Sequence, residues 1–182
     1  RDEMVNTKTG GFRVRARSAV PTRLIHRTRR RGPACRRPNP LRAVVELKGR
    51  ILQVRNVPKG ATVGYGGTWT AKRPSRIATI AIGYADGIPR AAAATEGVAT
   101  RDGTTGRDVI VAGKRCRMIG RVSMDLIAVD VTDHAEGAVR RDTMATLIGD
   151  GLSLDEFAEQ AGTISYEVLT NLGRRYHRTW KV

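Results

Sequence analysis

A tyrosine set among glycines is the residue of this chain whose surroundings best suit it to chemistry. Residues 63–71 read Val-Gly-Tyr-Gly-Gly-Thr-Trp-Thr-Ala and place Tyr65 at the end of a strand-like run. Glycine on both sides of the tyrosine permits positive φ and lets the main chain approach a bound molecule closely. The phenol of Tyr65 could then exchange a proton with a ligand. Alternatively, the segment could be a turn with an exposed aromatic side chain.

Three further segments pair glycine with residues that can bind or react. Residues 83–90 read Gly-Tyr-Ala-Asp-Gly-Ile-Pro-Arg, with Tyr84 at a strand end and a turn after it. Residues 120–125 read Gly-Arg-Val-Ser-Met-Asp, and residues 162–168 read Gly-Thr-Ile-Ser-Tyr-Glu-Val. Each segment alone is a weak signal, but the four follow one another in a fixed order along the chain.

In that order, the four segments resemble the C-terminal domain of the alanine racemases. The resemblance runs from about Leu41 to Val182 and is absent before Pro38. It implies an isomerase that interconverts L-alanine and D-alanine with pyridoxal phosphate and supplies D-alanine for cell-wall peptidoglycan. It also implies a homodimer, in which this domain faces the cofactor-binding barrel of the partner subunit.

The resemblance implies a role for several single residues of this chain. Tyr65 would be the tyrosine acid or base that acts across the dimer interface, and Met124 would meet the substrate carboxylate. Tyr166 would contact the cofactor phosphate. The narrow opening through which substrate enters would be lined by Tyr84, Arg90, Arg121 and Ile164. In a purely structural role, Met124 would fill the core, the tyrosines would pack with satisfied hydroxyls and the arginines would be surface charge.

The cofactor-binding part of such an enzyme has no counterpart in this sequence. The six lysines match no cofactor-bearing position of the family, and no glycine-rich phosphate segment precedes the resemblance. The resemblance therefore implies half of an active site, and we expect the isolated chain to be inactive. Because pocket size would depend on barrel residues, a racemase of broader amino acid specificity is an open alternative.

Residue patterns predict a mainly β domain with short C-terminal helices, and the resemblance implies that it is barrel-like, of the alanine racemase C-terminal type. Residues 41–55 alternate apolar and polar side chains, which favours a long strand with a possible bend at Gly49. Further strands are predicted at residues 77–82, 126–131 and 143–148, and a hairpin at 108–120 that turns at Ala112-Gly113. Ser153 and Glu156 form a capping box that predicts a helix to Ala161, and Ser165 is expected to cap a second helix. The remaining expectations are a surface loop at residues 91–107 and a solvated basic segment at 174–178.

The strongly basic head, residues 1–37, is expected to be separate from a domain at residues 38–182. It carries twelve Lys and Arg against two acids, which accounts for most of the formal net charge of +16. Without a regular apolar period, the head is predicted to be unstructured. Three origins are open: a degenerate or out-of-frame end of the racemase barrel, a solvated tail, or an arm that binds nucleic acid. The last would make the chain a basic nucleic-acid-binding β-barrel module, although stacking aromatics are nearly absent from the head.

Cysteine usage and hydropathy favour a cytoplasmic protein. The two cysteines, Cys35 and Cys116, suit a reducing compartment and lack the spacing of a zinc site, so no metal is predicted. No apolar run approaches the roughly 18 residues of a membrane span, and the head lacks the apolar centre of a signal peptide.

Overall fold

A computed structural model describes residues 11–15, 44–90, 107–149 and 151–181 of the 182-residue chain. The strands among them are β1 Gly11–Arg15, β2 Val45–Val57, β3 Thr62–Val63, β4 Trp69–Thr70, β5 Ser75–Ile80, β6 Asp108–Val111, β7 Lys114–Ile119, β8 Ile127–Asp130, β9 Met144–Ile148 and β10 His177–Lys181. Two short helices, α1 Leu154–Gln160 and α2 Ser165–Asn171, lie between β9 and β10.

Six antiparallel strands close into a barrel in the order β2-β5-β8-β7-β6-β9, with β9 pairing back to β2. The first part of β2 pairs with β9 and the second part with β5, and the register shifts within each pairing. Gly49 lies between these two shifts, where an added Cβ would be only 2.5 Å from Ile80 Cγ2. The predicted mainly β, barrel-like fold is confirmed.

The barrel interior is apolar because alternate residues of each strand point inward. Fully buried side chains at its centre include Leu47, Ile51, Ile80, Val129 and Leu147. The hairpin of β6 and β7 turns where predicted, with positive φ at both Ala112 and Gly113. Such a turn matches the twist of the paired strands. The interior is therefore a packed core, and the residues available to a ligand lie at the barrel surface.

Helix α1 begins as predicted, but α2 does not. Ser153 Oγ accepts a hydrogen bond from the Glu156 N–H at 3.1 Å, which caps α1. Ser165 is the first residue of α2 and not its cap, which is Ile164 without a side-chain hydrogen bond. The prediction for Ser165 was wrong because its hydroxyl instead donates to Asp155 in α1.

The two ends of the chain differ from the sequence expectations. Residues 11–15 of the predicted unstructured head form β1, which pairs antiparallel with β2 and parallel with β10, so the expectation was wrong for these five residues. Their Gly-Phe-Arg-Val-Arg pattern alternates in the way that a strand requires. The other residues before 44 lie outside the described residues.

Residues 174–178, expected to be a solvated basic segment, are attached to the domain. Tyr176 is buried and its hydroxyl donates to the carbonyl of Asp86 at 2.7 Å, while β10 begins at His177. Burial raises the pKa of the Tyr176 phenol. That expectation was therefore wrong, because counting charges overlooked the apolar ring within the segment.

Arg107 was placed in a surface loop, yet its side chain is fully buried. Its guanidinium carbon lies 4.7 Å from the centroid of the Phe157 ring in α1. This distance is within the range of a cation–π interaction. Burial lowers the pKa of Arg107 to about 9. The loop prediction was wrong for this residue, and residues 91–106 lie outside the described residues.

Candidate active site

The Tyr65 side chain projects from a tight turn between β3 and β4. A 3-10 turn covers Tyr65–Gly67, and φ is positive at Gly64, Gly66 and Gly67. Residues with a Cβ adopt such angles rarely, which explains the three glycines. Tyr65 is 71% exposed, and its hydroxyl forms no hydrogen bond with any residue that the structure describes. The phenol thus points outward from a tight glycine turn.

The Tyr65 turn rests on the segment that follows β7, which we call the Met124 segment, residues 120–126. A Cβ added to Gly64 would lie 3.1 Å from Gly120 Cα, and one added to Gly120 would lie 3.0 Å from Val63 O. Two facing glycines therefore let the two backbones touch. Arg121 follows directly, and its Nη1 lies 3.8 Å from the Cβ position of Gly66. A guanidinium is thereby held beside the turn that carries the phenol.

The Tyr84 turn, residues 83–87, contacts the same segment from a second direction. The N–H groups of Tyr84 and Ala85 donate to the carbonyls of Ser123 and Met124, each at 3.0 Å. A Cβ at Gly83 would lie only 2.3 Å from Met124 O, so only glycine allows this approach. Tyr84 itself is 44% exposed.

Arg90 lies close to the Tyr84 side chain. The Arg90 guanidinium carbon is 5.7 Å from the centroid of the Tyr84 ring. Such a contact between a cation and an aromatic face stabilises both side chains modestly at an exposed position. Two sequence-predicted residues are therefore brought together at this edge of the barrel.

Met124 does not fill the core. Its side chain is 52% exposed, and its backbone N–H has no acceptor among the described residues. The segment is shaped locally by Ser123, whose N–H and hydroxyl both donate to Leu126 O, at 3.1 and 2.7 Å. An exposed amide donor beside an exposed thioether can contact an anion such as a carboxylate.

Ile164 and Tyr166 stand at the beginning of α2 and are also exposed, at 51% and 57%. No hydrogen bond, ion pair or ring contact joins them to the other predicted site residues within the described parts of the chain. The far end of α2 contacts the Tyr84 turn, where a Cβ at Gly87 would lie 2.0 Å from Asn171 O. The helix is therefore in contact with the turn at its last residue, while the side chains of Ile164 and Tyr166 at its beginning are exposed.

Sequence reasoning missed two residues that support this surface. The buried Asp86 carboxylate accepts a hydrogen bond from the Gly83 N–H at 2.9 Å, and its other oxygen lies 3.4 Å from Arg175 Nε. Arg175 also contacts Asp125 at 2.7 Å. A carboxylate three residues after Gly83 is a capping signal that the sequence did contain. The partner Arg175 lies 89 positions further along the chain and gave no such signal.

The arrangement is open and not enclosed. Two pockets, of about 340 and 420 Å³, are lined by none of the seven predicted site residues. Water exclusion would strengthen proton transfer and anion binding by these groups. These features define a β-barrel domain whose predicted site residues lie on an exposed, polar edge.

Comparison with known proteins gives the family. The sequence model described as alanine racemase, C-terminal domain, matches residues 44–180. The chain belongs to this family.

Several alanine racemases resemble the chain closely. It is 52% identical over 143 residues to the alanine racemase of Methylobacterium sp. (strain 4-46), covering 79% of this chain and 36% of that protein. It is 44% identical over 148 residues to the catabolic alanine racemase of Agrobacterium fabrum, covering 81% and 35%. The chain thus spans little more than a third of these curated relatives.

Solved structures agree with the family. The alanine racemase of Bartonella henselae, with covalently bound pyridoxal phosphate, superimposes with a TM-score of 0.70 at 37% identity, covering 79% of this chain and 37% of that one. The biosynthetic alanine racemase of Pseudomonas aeruginosa gives 0.68 at 41% identity, covering 78% and 36%. Within the described residues, no helix is both long and apolar enough to cross a membrane.

Proposed function

We propose that this chain is the C-terminal part of a pyridoxal-phosphate-dependent alanine racemase, with Tyr65 as an acid and base in the interconversion of L- and D-alanine. The observation that carries the proposal is the exposed Tyr65 phenol, fixed on a glycine turn beside the Met124 segment. The relatives named alanine racemase give the reaction. The chain supplies one side of the site and depends on a cofactor-binding barrel for the other.

Racemisation requires a proton to leave Cα on one face and to return on the other. Tyr65 Oη is proposed to hold or release that proton on one face. A phenol has an ordinary pKa near 10, so a positive neighbour is needed to favour proton abstraction near neutral pH. Residues of the facing barrel are proposed to supply that positive charge.

The substrate carboxylate is proposed to contact the N–H and side chain of Met124. Met124 is 52% exposed, and its N–H has no acceptor among the described residues. Arg90 and Arg121, with Tyr84 and Ile164, are proposed to line the opening through which substrate enters. Positive charge at such an opening attracts a carboxylate and raises its local concentration.

The residues of this chain are suited to contact the cofactor and not to bind it covalently. The Tyr166 hydroxyl is exposed and lacks a described partner, so it can donate to a phosphate oxygen. Lys48 is paired with Glu46 at 2.6 Å and Lys114 Nζ donates to Asp133 O at 3.4 Å, and no hydrogen bond or ion pair joins a lysine to the predicted site residues within the described parts of the chain. The attaching lysine is proposed to lie on the barrel of a partner subunit. When bound there, the cofactor supplies an electron sink for the charge left at Cα.

The proposed assembly is a homodimer of the complete enzyme in the cytoplasm, making D-alanine for peptidoglycan. The openness of the Tyr65 surface supports a partner, since the proton transfer needs exclusion of water. Residues 38–182 are proposed as the domain that carries the function, with β1 of the basic head paired to the edge of its sheet.

A hybrid enzyme tests the proposal. Residues 44–181 replace the matching segment of the Methylobacterium sp. racemase, which is 52% identical to this chain. The hybrid should convert L-alanine to D-alanine, measured by a D-amino acid oxidase assay. A hybrid that folds and dimerises but has no activity would refute the proposed function, and faster turnover of another amino acid would refute alanine as the substrate.

The 182-residue chain alone gives the complementary test. After incubation with pyridoxal phosphate and reduction with borohydride, mass spectrometry should find no stoichiometric adduct at any one lysine. A single fully modified lysine would contradict the division of the site between two domains.

A further inference from the structure

Asp86 joins three parts of the surface described above. Its Oδ2 accepts a hydrogen bond from the Gly83 N–H, which closes the Tyr84 turn. Its backbone carbonyl accepts from the Tyr176 hydroxyl at 2.7 Å and from the Gly173 N–H at 3.3 Å. Only 8% of the carboxyl side chain is exposed, so its charge needs a partner. The turn is thereby tied to the residues between α2 and β10.

Those same residues present Arg175 in a defined place. Gly173 and Tyr176 lie on either side of it in sequence, and both are bonded to the Asp86 carbonyl. From this anchored stretch the guanidinium reaches two carboxylates, with Nε 3.4 Å from Asp86 Oδ1 and Nη2 2.7 Å from Asp125 Oδ1. A planar guanidinium can serve two acceptors at once, which an ammonium does less well.

We propose that Arg175 is a positioning residue that holds the Met124 segment against the Tyr84 turn by bridging Asp86 and Asp125. Asp125 directly follows Met124, so an ion pair to the Asp125 carboxylate restrains the backbone position of Met124. As far as it concerns catalysis, the proposal rests on the proposed function of Met124. As a statement about the fold, it stands on the two ion pairs alone.

The bridge adds to contacts that are few. Two backbone hydrogen bonds, from the N–H groups of Tyr84 and Ala85, connect the turn to the segment. Val122 is buried and Gly120 contacts the Tyr65 turn, which fixes the first part of the segment. The side chains of Met124 and Asp125 are 52% and 42% exposed, so packing restrains this part less. Removing the bridge should therefore raise the frequency of local opening around Met124 without unfolding the barrel, because Val122 and the other core residues keep their packing.

Hydrogen exchange in the full 182-residue chain tests the bridge without reference to activity. In Arg175→Gln, the amides of Tyr84 and Ala85 should exchange roughly 3- to 20-fold faster, as expected for the loss of two partly exposed ion pairs. Arg174→Gln is the matched control, because it removes the same charge from the adjacent residue, which forms no ion pair in the described structure. Unchanged exchange in Arg175→Gln, or equal acceleration in the control, would overturn the proposal.

The hybrid enzyme gives the second readout. At a temperature where every variant is fully folded, Arg175→Gln should raise KM for alanine several-fold with a smaller effect on kcat, whereas Arg174→Gln should leave KM, kcat and Tm as in the parent. Arg175→Lys should restore only part of the loss, since one ammonium cannot span both carboxylates equally. If KM does not change in the folded Arg175→Gln hybrid, Arg175 is not a positioning residue. If the parent hybrid is inactive, the proposed function fails and the exchange result alone decides the bridge.

Discussion

Replacing Gly83 with alanine should separate the Tyr84 turn from the Met124 segment. The new methyl group would lie 2.3 Å from Met124 O and 2.4 Å from Ser123 O, both backbone atoms that cannot rotate away. To reach a tolerable 3.0 Å, the turn has to move by about 0.7 Å, which stretches its two hydrogen bonds from 3.0 Å to roughly 3.7 Å. At about 1 kcal/mol for each lost bond, the free energy of unfolding should fall by about 2 kcal/mol or more.

The assay is urea denaturation of the 182-residue chain followed by circular dichroism. The backbone of Gly83 is extended, with φ at −155°, so alanine brings no conformational strain and the loss reports the contact alone. Gly173→Ala is the matched control, because its Cβ would lie at an ordinary 3.6 Å from Ala85 O. A loss below about 0.5 kcal/mol in Gly83→Ala, or an equal loss in the control, would refute this account of the contact.

Three further predictions concern stability. The buried nitrogens of Arg107 have no hydrogen-bond partner among the described residues, so burial of this charge costs free energy in the folded state. Arg107→Met should therefore raise the free energy of unfolding at pH 7 by about 1 kcal/mol or more, measured by urea denaturation. Burial raises the pKa of the Cys116 thiol to about 11. The thiol therefore loses its proton at a higher pH in the folded state than in the unfolded state, so the free energy of unfolding falls between about pH 9 and 11. In Cys116→Ala, the free energy of unfolding should fall by about 1 to 3 kcal/mol less than in the parent over that interval. Ser153→Ala should cost about 1 kcal/mol through loss of the α1 cap, measured by thermal unfolding. A destabilised Arg107→Met, an unchanged alkaline slope or a neutral Ser153→Ala would each contradict its stated cause.

The regular elements could be predicted because their signals are local. The alternation along β2 and the turn at Ala112 and Gly113 depend on neighbours within a few residues, and both were predicted from them. The cap of α1 by Ser153 has the same origin. The pairing of β9 with β2, which closes the barrel, could not be predicted from such local patterns, since it joins residues about a hundred positions apart.

The errors arose where a distant partner decided the outcome. Ser165 was assigned a local cap, but Asp155 in the preceding helix competes for its hydroxyl. The segment around Arg175 was assigned to solvent because its charges were counted without Asp86 and Asp125. Arg107 was assigned to a loop, although the ring of a later helix covers it. Each case required a contact that sequence spacing does not contain.

For the candidate site, the sequence predicted the residues and the reason for the glycines around Tyr65. Their positive φ is confirmed. The facing contact of Gly64 with Gly120 could not be predicted, because either glycine alone only permits close approach and does not say to what. The roles of Tyr65, Met124 and Tyr166 remain predictions until they are measured in a complete enzyme.

Proton exchange in the Tyr65→Phe hybrid enzyme tests the central claim most directly. The substitution keeps the ring and removes only the oxygen, and an exposed hydroxyl without a described partner contributes little to stability. In D₂O, NMR should show that Cα exchange of one alanine enantiomer slows by about 10²- to 10⁴-fold, while the other enantiomer still exchanges. Racemisation at the parent rate, or equal loss for both enantiomers with a lowered Tm, would contradict the assignment of Tyr65 as the acid and base.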